Sequence, residues 1–263
     1  MLILIKGAGD LASGIALRLH HARFDIVMTD LPVPTAVRRT VAFSEAIRFG
    51  STVVEDIAAE RADNIDQIRD CLSRGVIPVT TGDENELIEA LKPEVIVDAI
   101  IAKRNINTHI DDAPLVIAVG PGFTAGVDCH AVIETKRGHT LGRVIKEGSA
   151  IPNTGIPGNI GGETIRRLIK APCDGVFHPV KEIGEIVIRG VIVGYVDGEP
   201  VFTETNGMIR GLLQDGVPVT TGFKCGDVDP RGVKADYTTV SDKALAIGGG
   251  VLEAIMAYAA DRF

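Results

Sequence analysis

Tryptophan is absent, and aromatic residues make up only 4% of the 263-residue chain. That excludes a platform that stacks bases on aromatic rings. Positive charge is also short. Against 35 Asp and Glu stand 27 Lys and Arg, a formal net charge of −8, the wrong sign for neutralising nucleic-acid phosphates. Cysteine is limited to Cys71, Cys129, Cys173 and Cys225, with no C-x-x-C pair. These four supply neither a disulfide framework nor a zinc site and fit a reducing compartment. No apolar run approaches the ~18 residues of a membrane span. The opening Met-Leu-Ile-Leu-Ile-Lys lacks the basic start and cleavage site of a signal peptide. The expectation is a soluble cytoplasmic protein with no nucleic-acid and no membrane partner.

What is present is 45% hydrophobic residues and 30 glycines, the latter well above the usual ~7%. In the first half, apolar runs at residues 2–6, 24–29, 76–80, 95–101 and 115–119 alternate with helical spacing at 11–21, 65–72 and 84–91. Strands rich in Val and Ile that alternate with helices predict a parallel sheet covered on both faces. This reads as a Rossmann-like nucleotide-binding domain over residues 1–126. Beyond it the long helical patterns stop, and glycine punctuates short Val/Ile runs through residues 127–240. Residues 241–263 return to helix, with Leu252, Ile255, Met256 and Ala259 as an apolar stripe that packs back on the body.

The glycine-rich half contains a repeat. Gly175, Gly184, Gly190 and Gly194 are matched by Gly207, Gly216, Gly222 and Gly226 at a constant offset of 32. The spacing predicts two copies of one β unit, 171–198 and 203–229. It resembles the barrel-sandwich hybrid, or biotinyl/lipoyl-like, module, which would make the fold α/β with a duplicated β half. Residues 196–200, the connecting hairpin, hold no lysine to carry a swinging arm.

Several motifs can carry chemistry. Gly7-Ala-Gly9-Asp-Leu-Ala12 follows a predicted strand and opens a predicted helix. Gly7 permits the tight turn, Gly9 lets a pyrophosphate approach, and Ala12 allows close helix packing. Asp30 ends the second strand, where an acid can bond a ribose. The same turn also occurs in folds that have lost their ligand. Arg38 and Arg39 meet either an extra phosphate or solvent. Asp98, Lys103, Arg104 and Asn105 end an apolar strand, where reacting groups sit in open parallel sheets; a capped loop with solvated charges reads the same. Gly120 and Gly122 make a second strand-end glycine loop, either closing over a ligand or serving as a hinge. None of the six histidines has the spacing of a helical metal pair, so no metal site is expected. No serine stands in a G-x-S-x-G elbow.

Taken in order, seven further segments join the Gly7–Ala12 turn. They are residues 38–46 (RRTVAFSEA), 97–105 (VDAIIAKRN), 120–126 (GPGFTAG), 133–135 (IET) with 137–139 (RGH), 154–158 (TGIPG), 226–231 (GDVDPR) and Ser241-Asp-Lys-Ala244. This set resembles the YqeB family, accessory proteins of selenium-dependent molybdenum hydroxylases. The resemblance implies a maturation role toward such a hydroxylase and a dinucleotide or pterin ligand, the molybdenum cofactor dinucleotide, held at the Gly7 turn. It implies no catalytic residue set. Two rivals stand beside it. One is an NAD(P)-dependent oxidoreductase with Lys103 or His109 as proton donor; the other is a non-catalytic scaffold that docks a partner through its β half. Cys129 as a selenium or sulfur carrier competes with the plainer reading of a small buried hydrophobe.

Overall fold

In the computed structural model, residues 1–155 and 158–260 are described. Ile156 and Pro157 of the TGIPG segment, and the last three residues of the C-terminal helical segment, lie outside the described residues. The chain divides into two compact units. One comprises Met1–Pro32, Phe43–Thr154 and the chain from Val240; the other comprises Val33–Ala42 and Gly155–Thr239.

In the first unit, strands and helices follow the alternation of apolar runs and helical stripes. They are β1 (Leu2–Lys6), α1 (Asp10–His21), β2 (Asp25–Thr29), α2 (Glu45–Phe49), β3 (Ser51–Val54), β4 (Ile57–Arg61), α3 (Ile65–Ser73), β5 (Ile77–Thr80), α4 (Glu84–Leu91), β6 (Val95–Asp98), β7 (Leu115–Val119), β8 (Ala131–Ile133) and β9 (Val144–Ile145). Asn64 caps α3 by accepting the Gln67 N–H, and Asp83 caps α4 by accepting those of Asn85 and Glu86. Each cap satisfies donors the helix itself leaves orphaned.

One sheet runs in the order β3-β4-β5-β2-β1-β6-β7-β8-β9. Its register places Leu4 beside Val27 and Ile96, and Ile96 beside Val116. These side chains form one apolar row packed with Ile68 of α3 and Leu87 of α4. On α1, Gly14 is so close to the last helix, α5 (Asp242–Ala260), that a Cβ there would lie 2.5 Å from that of Ala244. α5 is long and apolar enough to cross a bilayer by length and composition, with mean hydropathy 1.3. No unbroken apolar run marks it in the sequence, because Gly248, Gly249, Gly250 and Glu253 interrupt it. In this unit it buries Ala244, Ile247, Val251 and Ile255.

The second unit contains β10 (Leu168–Lys170), β11 (Gly175–Pro179), β12 (Ile186–Val187), β13 (Ile192–Val196), β14 (Glu199–Phe202), β15 (Gly207–Leu212), β16 (Val217–Val219) and β17 (Lys224–Asp229). They form two antiparallel sheets, β10-β17-β15-β12 and β14-β13-β11-β16. Phe177, Val193, Val196, Ile209, Val217, Cys225 and Val228 belong to its core. Pairings recur at an offset of 32: Phe177 faces Val196 as Ile209 faces Val228, and Gly175 faces Val219 as Gly207 faces Val187. Asp197 and Gly198, both with positive φ, make the tight turn between β13 and β14, the backbone sign that two-residue hairpins favour.

The expected architecture, a Rossmann-like parallel sheet followed by a duplicated barrel-sandwich hybrid, is corrected by these sheets. The nine-stranded sheet is mixed: β3 pairs antiparallel with β4, and β9 antiparallel with β8. The β3–β4 hairpin carries few of the Val and Ile runs that reveal a strand, so apolar patterning leaves it unmarked. The sheet also continues through β8 and β9, past residue 126. The β half consists of two separate four-stranded antiparallel sheets.

Candidate functional site

The strands β4, β5, β2, β1, β6, β7 and β8 run parallel. From β1 the chain proceeds toward β2, and from β6 it proceeds toward β7 on the other side. The loops leaving the carboxyl ends of β1 and β6 therefore part from one another, the place where open α/β sheets hold ligands.

The loop after β1 is the glycine turn. Gly7 has φ +96°, a left-handed conformation that side chains resist. Its N–H donates to the Thr29 carbonyl at 2.9 Å. Gly9 is the N-cap of α1, with extended backbone and no capping side chain. Ala12 is buried. Asp30 ties this turn to the end of β2: its Oδ2 accepts the Ala8 N–H at 2.8 Å, and its Oδ1 accepts the Leu31 N–H at 2.8 Å. Burial raises the Asp30 carboxyl above its ordinary value, against the lowering from those two N–H groups.

Beside the turn lies a buried ionic cluster. Lys6 is 1% exposed. Its Nζ donates to Thr108 Oγ1 at 3.1 Å and to the Asn107 carbonyl at 3.3 Å. It lies 3.2 Å from Glu84 Oε2 and 3.7 Å from Asp112 Oδ2. The Thr108 hydroxyl donates onward to Asp98 Oδ2 at 2.7 Å. Burial raises the Asp98 carboxyl, opposed by the bonds from Thr108 and the Ile100 N–H and by the charge of Lys6. Sequence reasoning identified Asp98 but missed Lys6, Glu84, Thr108 and Asp112, which come from separate segments. The one available signal was a lysine closing an apolar strand.

Lys103, Arg104 and Asn105 do not join Asp98 as a reacting group. Lys103 and Arg104 are exposed. Asn105 shapes its own loop, donating from Nδ2 to the Thr108 carbonyl at 2.7 Å and accepting the Thr108 N–H at 2.9 Å. Gly122 (φ +111°) lies against this loop, where a Cβ would sit 2.5 Å from the Arg104 nitrogen. Gly120 (φ +84°) instead faces Thr135. Arg38 and Arg39 hold backbone in the second unit, donating to the carbonyls of Thr239 and Leu212. His109 is exposed, with its N–H bonded to Asp112 Oδ2 at 2.9 Å. Cys129 is fully buried, and burial pushes its thiol up to about 12. Among the described residues, no group of three His, Cys, Asp or Glu is placed to hold a metal.

A concavity of about 570 Å³ lies at the amino ends of the parallel strands, away from the glycine turn, and includes Lys92, Glu94, Asp111, Asp112 and His130. Glu94 and His130 immediately precede β6 and β8. His130 Nδ1 accepts the Val116 N–H at 3.0 Å.

No family model matches the chain. The uncharacterized protein YqeB of Escherichia coli (strain K12) is 51% identical over 255 residues, covering 97% of this chain and 47% of that protein. Over nearly its whole length this chain is a relative of YqeB. It spans about half the length of that relative. Among solved structures, an aspartoacylase family protein from Mesorhizobium loti matches at 11% identity and a TM-score of 0.30, covering 86% of this chain and 84% of that one. A succinylglutamate desuccinylase/aspartoacylase from Rhodobacter sphaeroides matches at 16% identity and 0.27, with the same coverage. Likeness this slight has no bearing on the site.

Proposed function

We propose that this chain is an accessory, maturation factor for a selenium-dependent molybdenum hydroxylase. It binds a dinucleotide-type ligand, the molybdenum cofactor dinucleotide, at the carboxyl ends of β1 and β2. The observation that carries the ligand reading is the Gly7–Gly9 turn bound to Asp30 through Ala8. Gly9 caps α1 without a side-chain bond, and a helix N-terminus that follows a glycine turn favours the negative charge of a pyrophosphate. Asp30 uses one lone pair on each oxygen for backbone N–H groups and keeps others for a ribose hydroxyl. Kinship with YqeB supports the family part of the reading. The four cysteines are free, as a reducing compartment keeps them, and the proposal places the chain in the cytoplasm.

The test is mass spectrometry of small molecules released from protein made in cells that synthesise the molybdenum cofactor, with absorbance and fluorescence of the same sample. A released pterin dinucleotide supports the reading. A released nicotinamide dinucleotide replaces it with an oxidoreductase. Gly9→Val serves as the control: its backbone (φ −71°) accepts a side chain, so the circular dichroism stays normal while ligand is lost. Ligand retained by that variant refutes the turn as the binding element.

A further inference from the structure

We propose that residues 99–108 form a strap over the glycine turn, and that Lys6 is a phosphate-binding cation which the strap covers and releases. The ligand half of this inference rests on the binding reading above; the strap half does not.

Lys6 directly precedes Gly7, so its strand delivers the ammonium to the edge where the turn lies. Its charge is sealed from water at 1% exposure. Buried ion pairs seldom add stability over apolar side chains of the same volume, so packing alone gives little reason for a lysine here. Two of its bonds, to the Asn107 carbonyl and Thr108 Oγ1, come from the strap. The Asn107 side chain also donates to Glu84 Oε2 at 2.9 Å, fixing the carboxylate that answers the lysine.

The strap is an irregular segment seated on both glycine turns. The Ala99 carbonyl lies 2.9 Å from where a Gly7 Cβ would stand. At its other end the Asn105 N–H donates to the Gly122 carbonyl at 3.1 Å. Between these seats, Ile101 and Lys103 adopt φ +62° and +63°. A β-branched residue in that region is strained and persists only when its surroundings hold it there. Ile100 and Ile106 stand 36% and 57% exposed on the same segment. The closed strap thus holds strain that opening relieves, and opening removes two of the bonds that hide Lys6.

The experiment is amine modification of the full chain without ligand, read peptide by peptide, with exposed Lys103 as the internal reference. Lys6 is expected to react far more slowly than Lys103, at a rate that does not change in low urea, the mark of local opening. Thr108→Val removes a bond to the ammonium and is expected to speed Lys6 modification about tenfold. Ile101→Gly takes the left-handed conformation without strain and is expected to slow it roughly tenfold. A Lys6 rate that rises with urea in parallel with global unfolding overturns the strap, as does a rate unchanged in both variants. ADP, which carries a pyrophosphate and a ribose, is then added. Slowed Lys6 modification supports the phosphate role. ADP that binds by titration yet leaves Lys6 unchanged overturns that role. If ADP does not bind while both variants shift the rate, the strap stands and the binding reading falls.

Discussion

Replacing Gly122 by alanine asks whether the loop after β6 is seated where the structure places it. Two costs arise. A side chain at φ +111° meets the left-handed penalty of about 1–2 kcal/mol. Its Cβ would also stand 2.5 Å from the Arg104 nitrogen and 2.6 Å from both the Arg104 Cα and the Lys103 carbonyl carbon. These are backbone atoms that cannot rotate aside, so the loop must shift, an overpacking cost of about 1–3 kcal/mol. Displacement also endangers the Asn105 N–H bond to the Gly122 carbonyl, about 1 kcal/mol more. Gly126→Ala is the matched control, because its φ is +85° and a Cβ there meets nothing within 4 Å. The two variants share the backbone penalty and differ by the contact and the endangered bond, about 2–4 kcal/mol. For a chain of this size that is a further fall in melting temperature of roughly 4–16 °C. Thermal melts of both variants, with amide exchange across residues 99–105, provide the measurement. Equal melting temperatures, with exchange in that segment as slow as in the parent, would refute the packing of the loop on Gly122.

Other outcomes follow from the same geometry. Asp30→Asn is expected to weaken a ribose-bearing ligand by about 1–3 kcal/mol, measured by titration calorimetry; equal affinity would mean that no ribose meets Asp30. Because burial raises Asp98 above 3.8, the folded chain takes up that proton at higher pH than the unfolded chain, and stability falls as pH rises through the window above 3.8. Asp98→Asn should remove that downward contribution from the urea-midpoint profile, leaving a similar one from Asp30, raised in the same direction, and the opposite one from lowered carboxylates such as Asp174 and Asp236. Cys129, fully buried with its thiol pushed up to about 12, should resist alkylation in the folded chain and react in denaturant; fast native labelling would reopen a carrier role.

Legibility in the sequence varied by physical cause. β1, β7 and the helices α1, α3 and α4 were readable because their side chains are sorted by burial, the one property that periodicity reports. The strand over residues 95–101 was read too long. Asp98 turns back to accept the Ile100 N–H at 3.1 Å, and Ile101 enters the left-handed region; neither interaction leaves a mark on an apolar run. At the site, Gly7, Gly9 and Asp30 were visible because a turn requires particular residues at fixed spacing. The Lys6 cluster was not, since Lys6, Glu84, Asp98, Thr108 and Asp112 meet only when β1, α4 and β6 are brought side by side. Lys103 and Arg104 were favoured for their charge, but their left-handed and exposed loop turns them outward.

The exchange of strands in the second unit bears on how that unit can arise and be divided. β12 lies in the sheet of β15 and β17, while β16 lies in the sheet of β11 and β13. A chain severed at the Asp197–Gly198 turn therefore leaves each fragment with a strand whose partner is on the other fragment. Neither fragment completes a sheet by itself, so the unit gains or loses its order in one step. Two identical copies of a single half, unlinked, would meet the same pairings by rotating about a shared axis. In that geometry a dimer of short chains and one long chain are interchangeable solutions, and the β13–β14 turn and the strand that follows it are the tether that makes the association permanent.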